Sequence, residues 1–159
     1  MILSLTLNLL IAFIWILLQP APSGGGFVIG FALGFALIAL FKPVLKSDDY
    51  VRRAVAMIRF IGLFSREFVL SSWQLAYAAL FRRADSLTPR IISYDTRGLT
   101  HFEALLLSHS ISLTPGTTTI DIAPDLSNFT LHVLDCTSAD AVCGGIDRTL
   151  KRGILAFTR

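Results

Sequence analysis

Residues 2–41 read ILSLTLNLLIAFIWILLQPAPSGGGFVIGFALGFALIALF, and no Asp, Glu, Lys or Arg occurs among them. Two apolar runs, about 2–18 and 24–41, flank the segment Gln19-Pro20-Ala21-Pro22-Ser23-Gly24-Gly25-Gly26. Proline removes a helical hydrogen bond and clashes with the preceding turn, while glycine allows a tight reversal, so the pattern predicts a helical hairpin. At about 1.5 Å per residue each run covers roughly 25–27 Å, slightly less than a typical hydrocarbon core, so flanking residues would have to complete a crossing. A bare pair of this kind is expected to be stable only in lipid. A secretory signal would need a basic stretch ahead of the first run, and none is present. In the second run Gly26, Gly30 and Gly34 recur every four residues, with Ala32, Ala36 and Ala39 close by. Small residues on one helical face let a second helix approach closely, so these glycines are expected to form a helix-packing face. The partner is either the first run or a foreign helix.

Working outward, the whole chain of 159 residues is 53% hydrophobic and only 16% charged, with a mean hydropathy of +0.66. Its charge is segregated. Residues 42–83 carry a net +5 and residues 84–159 a net −2, so the overall +3 comes from the middle segment. A nucleic-acid binder would cluster Lys and Arg on its folded domain, and this chain does not. Lys42, Lys46, Arg52 and Arg53 directly follow the second run. Basic residues in short loops stay on the cytoplasmic side, which places both termini of the hairpin inside and the Pro/Gly reversal outside. The expected location is the cell membrane, multi-pass, with the C-terminal domain cytoplasmic.

Residues 54–81 complete a membrane region of 1–83 but are harder to assign. The stretch is long and apolar, yet it contains Arg59, Arg66 and Glu67, and basic pairs stand at both ends. A charge near a bilayer centre costs roughly 2.5–3.5 kcal/mol even on a lenient scale. The preferred reading is an interfacial amphipathic helix, with a third span as the alternative. Either way Arg66 and Glu67 would require protein or headgroup partners.

From 88 to 159 the pattern changes to β-α-β-β-α, a small two-layer α/β domain. Strands are expected at 90–94, 117–122 and 129–134, the last two forming a hairpin across Pro124-Asp125-Leu126-Ser127. Thr118, Ile120 and Ile122 are expected on one side of their strand, and Phe129, Leu131 and Val133 on one side of theirs. A helix over 98–110 has Thr100 and Glu103 at capping-box spacing and a face of Leu99, Phe102, Leu106 and His109. A final helix from Ser138 has the stripe Val142, Ile146, Leu150, Ile154 and Phe157.

Chemistry is sparse, and no catalytic, cofactor-binding or metal site is expected. Cys136 and Cys143 match no zinc spacing and read as reduced thiols. Gly24-Gly25-Gly26 lacks the Lys-Ser/Thr of a phosphate loop. His101, His109 and His132 have no metalloprotease spacing, and Ser108 and His109, adjacent on a helix, diverge. Asp121, Asp125, Asp135, Asp140 and Asp147 are mostly explained by turns and caps.

One stretch stands apart: Leu113-Thr114-Pro115-Gly116-Thr117. Pro115 fixes the first corner of a turn and Gly116 tolerates the positive φ that a type II turn requires next. With Leu131-His132-Val133-Leu134-Asp135 downstream, apolar helices upstream and a basic last helix, nearly the whole chain resembles the E subunit of Mrp-type (Mnh or Pha) multisubunit sodium or potassium/proton antiporters. Leu131 replaces the expected Val before His132, and Gly153 interrupts the last helix. The resemblance implies a non-catalytic accessory subunit whose partners are the other subunits of a hetero-oligomeric antiporter and the bilayer, with no nucleic acid. Leu113, Thr114, Pro115, Gly116, Thr117, His132 and Asp135 are the residues that carry it. The competing class is a membrane-anchored regulatory or ligand-binding domain acting alone.

Overall fold

A computed structural model describes residues 2–159, with every side chain among them except that of Ala84. The chain divides into two compact units, one running to Val55 and the other Ala56–Arg159.

In the first unit helix α1 (Ile2–Leu17) packs antiparallel on α2 (Gly24–Leu40). Ser23 caps α2, its hydroxyl accepting from the Gly26 N–H at 3.1 Å. The seam is made of small residues on both sides. Gly26, Gly30, Gly34 and Ile38 are buried on α2, and Ser4, Asn8 and Ala12, also four apart, are buried on α1. A Cβ on Gly30 would lie 2.8 Å from Trp15 Cβ, and one on Gly34 would lie 2.3 Å from Asn8 Oδ1. The four-residue repeat on each helix therefore sets how closely the two axes approach. Of the two partners open to the glycine face, the contacts are with α1. A short turn, α3 (Lys42–Leu45), leads into α4 (Asp48–Phe81). Asn8 Nδ2 donates to Tyr50 Oη at 2.7 Å, and Tyr50 packs edge-on against Phe35, so the first turn of α4 closes this unit.

No described helix is long and apolar enough to cross a membrane. Helices α1 and α2 are uncharged but have 16 and 17 residues, whereas α4, at 34 residues, is interrupted by charge.

In the second unit, strands β1 (Arg90–Asp95), β2 (Thr117–Ile122) and β3 (Asn128–Val133) form an antiparallel sheet in the order β1-β3-β2. Helix α5 (His101–Leu113) precedes the β2–β3 hairpin, and α6 (Ala139–Ile146) and α7 (Arg152–Thr158) follow it. The element order is the one expected. Ile92, Tyr94, Phe129, Leu131 and Val133 meet Ala104, Leu107 and Ile111 of α5 and Ile146, Leu150 and Ile154 of the last helices in one core. Phe60 of α4 belongs to that core and Phe64 packs against it. The packing boundary therefore falls at Val55 rather than near residue 83, because α4 supplies aromatic rings that a three-stranded domain of this size lacks.

Three local expectations are corrected. The buried face of α5 is Ala104, Leu107, Ser108 and Ile111; of the expected face Leu99 and Leu106 do pack against the core, while Phe102 is 63% exposed and His109 faces outward. The capping box starts the helix at His101 instead of 98. In β2 the pairing slips between Thr119 and Asp121, leaving Ile120 as a bulge, 53% exposed, while Ile122 returns to the core. One extra residue exchanges the two faces of a strand. Gly153 does not break the last helix. The chain passes from α6 to α7 through a π-helical turn at Asp147–Lys151, where the Arg152 N–H donates to the Asp147 carbonyl. A Cβ on Gly153 would lie 2.6 Å from the Phe60 ring, so the glycine serves close packing with α4.

That π turn is held from the sheet. Tyr94 Oη donates to Asp147 Oδ1 at 2.6 Å, and Lys151 pairs with Asp147 at 3.6 Å above the Tyr94 ring. Burial and then the Asp147 carboxylate raise the Tyr94 phenol well above its ordinary range. It stays a neutral donor.

Candidate functional site

The turn Thr114–Thr117 is built as its sequence requires. The Thr117 N–H donates to the Thr114 carbonyl at 3.2 Å, and Gly116 has φ 93°. Thr114 Oγ1 donates to the Ser110 carbonyl at 2.9 Å, which completes the end of α5. The Gly116 carbonyl accepts from the Leu134 N–H at 2.9 Å, which brings the turn beside the end of β3.

Asp135 follows immediately and ties down the connection from α4. Its carboxylate accepts from Arg82 and, at 3.1 Å, from Thr88 Oγ1. Arg82 also donates to the Ser86 carbonyl at 2.9 Å, and the Cys136 N–H donates to the Thr88 carbonyl at 3.0 Å. The Arg82 guanidinium first, and Thr88 second, hold the Asp135 carboxyl below the usual range, so it is ionised at neutral pH.

These pieces enclose a cleft of ≈ 680 Å³. One wall is α4, with Trp73, Gln74 and Tyr77, continued by Arg82 just past its end, and the other is Thr114–Thr117 with Leu134 and Asp135. The structure thus gathers four of the five motif residues and Asp135 at one place. Leu113 lies outside it and is exposed. His132 is also elsewhere: it sits in the middle strand opposite Ile91 and Thr118, on the sheet face away from the helices. Gly26, Gly30 and Gly34 lie on the α1–α2 seam. Arg66 pairs with its neighbour Glu67 at 2.9 Å, and Glu67 lines a second, smaller cleft of ≈ 190 Å³ with Ile111, Thr149 and Leu150. Arg59 is exposed.

Sequence reasoning missed the Arg82 and Thr88 contacts to Asp135, because no local spacing links positions about fifty residues apart. It also missed the buried end of the capping box. Glu103 is 2% exposed and is held by Arg159 Nε and Nη2 at 3.1 and 3.0 Å, by Thr158 Oγ1 at 2.7 Å and by the Thr100 N–H at 2.8 Å. Among the described residues no group of three or more His, Cys, Asp or Glu side chains is placed to hold a metal ion.

Asp135→Ala is expected to free residues 82–89 while leaving the core intact. Hydrogen exchange of the 82–89 amides should quicken, with little change in the protection of β1–β3.

A family model described as "Na+/H+ ion antiporter subunit" matches residues 8–156, which defines the class as a transporter component. The chain is 31% identical over 156 residues to the E subunit of the Na(+)/H(+) antiporter of Alkalihalophilus pseudofirmus, covering 98% of each. It is 26% identical to the corresponding E subunit of Bacillus subtilis, again over 98% of each. The chain belongs to this family of Na+/H+ antiporter E subunits. Its fold is similar to that of a chain in the membrane-bound sulfane sulfur reductase, an archaeal respiratory membrane complex. The TM-score is 0.57 at 21% identity, with 95% of this chain and 96% of that one covered.

Proposed function

We propose that this protein is a non-catalytic accessory subunit of a multisubunit monovalent cation/proton antiporter, supporting assembly and stability through its hairpin and a cytoplasmic α/β domain. The observation that carries the reading is the hairpin surface. Ile2, Leu3, Leu10, Phe13, Leu17, Val28, Ile29 and Leu40 are exposed, and no ionisable side chain occurs from residue 2 to 41. A surface of this kind is suited to lipid and to other apolar helices. It offers no group that could carry a proton through a bilayer. The basic cluster from Lys42 to Arg53 holds the end of the hairpin, and the domain after it, on the cytoplasmic side. Glycine packing within the hairpin leaves its outer faces for the larger subunits, and the cleft beside Thr114–Thr117 is the domain's contribution to assembly.

Extraction in mild detergent tests the reading. The full chain is expected to co-purify with several polytopic subunits, and vesicles containing it alone are expected to show no cation/proton exchange. A stable monomer or homodimer whose melting responds to a small ligand would favour the membrane-anchored regulatory domain instead.

A further inference from the structure

Helix α4 has two unlike sides. One is tied to the α/β domain at two places: Phe60 joins the core with Phe64 packed against it and the Phe60 ring tilted on Phe157 at 5.5 Å, and Arg82, just past the helix, reaches Asp135. The two ties are roughly 33 Å apart at about 1.5 Å per residue. On the other side Ile58, Val69 and Leu80 are exposed, and Trp73 and Tyr77, at the rim between that side and the cleft, are exposed as well, Trp73 to 73%. Arg59, Arg66 and Trp73 follow one another at seven-residue spacing on that outer side, away from Phe60 and Phe64. Arg59 has no ion-pair partner among the described residues, and Arg66 meets only its neighbour Glu67.

From this juxtaposition we propose that the outer side of α4 is a binding surface for anionic phospholipid, with Arg59 and Arg66 contacting headgroup phosphates and Trp73 seated at the interface. The inference rests on reading the chain as a membrane subunit, and it decides between an interfacial and a crossing helix for residues 54–81. A crossing helix would draw the attached domain into hydrocarbon, including the ionised Asp135 and its Thr88 and Arg82 partners, at a prohibitive desolvation cost. A helix lying in the interface keeps the domain in water and immerses only the apolar outer side. Arginines within that side extend their apolar stems along the surface and place their charge among phosphates. Tryptophan and tyrosine favour the same depth. Charge complementarity selects lipid over a protein partner. The outer line is basic, and Glu67, the one acid of this stretch, is turned to the second cleft.

The full chain with Trp15→Phe, leaving Trp73 as its single tryptophan, would be reconstituted in phosphatidylcholine vesicles with and without phosphatidylglycerol. Quenching of Trp73 is read with lipids brominated at shallow or deep acyl positions. Strong shallow quenching that increases with phosphatidylglycerol is expected. Arg59→Gln with Arg66→Gln should lower the docked-to-free ratio about fivefold per arginine. Stronger deep than shallow quenching would show a crossing helix and overturn the proposal. So would an unquenched Trp73 in a chain that floats with vesicles after alkaline washing, as would indifference to the arginine changes. Failure to float would remove the membrane reading itself, a different result from an unquenched but anchored chain.

Discussion

Replacing Gly30 with leucine is expected to force α1 and α2 apart. At this position even a methyl group would meet Trp15 at Cβ, Cγ and Cδ1 within 2.9 Å. Cβ is fixed to the α1 backbone, so rotating the indole cannot relieve the clash, and the helix axes must separate. Overpacking of a tight interface costs typically 1–3 kcal/mol, and a branched side chain against backbone-fixed atoms belongs at the upper end, about 3 kcal/mol. Phe13 and Phe27, whose rings are 5.5 Å apart, report the separation. With cysteines at those two positions, and Cys136 and Cys143 changed to alanine, disulfide formation should be rapid on the native seam and largely lost with Gly30→Leu. Gly30→Ala should give an intermediate yield. Undiminished cross-linking with leucine would mean that the glycines do not set the helix separation.

The second large effect is expected at the far end of the chain. Arg159→Ala leaves the Glu103 carboxylate buried with hydroxyl and amide donors but without its charged partner. Breaking a fully buried pair costs about 3–5 kcal/mol. Here the guanidinium side is half exposed, so solvent screens part of the attraction and the loss is smaller than for a fully buried pair. A lower Tm of the full chain is expected. The pH dependence has a definite sign. Arg159 first, then the Thr100 N–H and the threonine hydroxyls, hold Glu103 at about 2, below its ordinary 4.5. Between those values the unfolded chain binds a proton that the folded chain does not, so this contribution is complete above about 4.5 and is lost as pH falls toward 2. Arg159→Ala should shrink that contribution and move acid unfolding to higher pH. An unchanged acid limb would show that Arg159 does not set the Glu103 titration.

These two sites also show how differently the halves of the protein can be read from sequence. The glycine repeat is legible because a helix converts a four-residue spacing into a face, and the absence of charge leaves few alternatives for such a run. The β2–β3 hairpin and the capping box are legible for the same reason, since each is a relation between near neighbours. Glu103 was recognisable as a cap, but its burial under Arg159 was not, because the contact joins residues fifty-six positions apart. The side of Ile120 was misread because a bulge displaced a register that periodicity alone assumes to be unbroken.

The amino-acid order alone determined an uncharged apolar hairpin, a basic middle segment, a β-α-β-β-α domain and the Thr114–Thr117 turn. Each follows from local periodicity, proline and glycine geometry, or the cost of charge in an apolar run. Tertiary structure decided that α4 belongs to the domain core through Phe60, that Gly153 exists to admit that ring, and that Asp135 closes a cleft with Arg82. Those outcomes depend on which distant surfaces meet, and close packing between them is a property of shape that no spacing along the chain encodes.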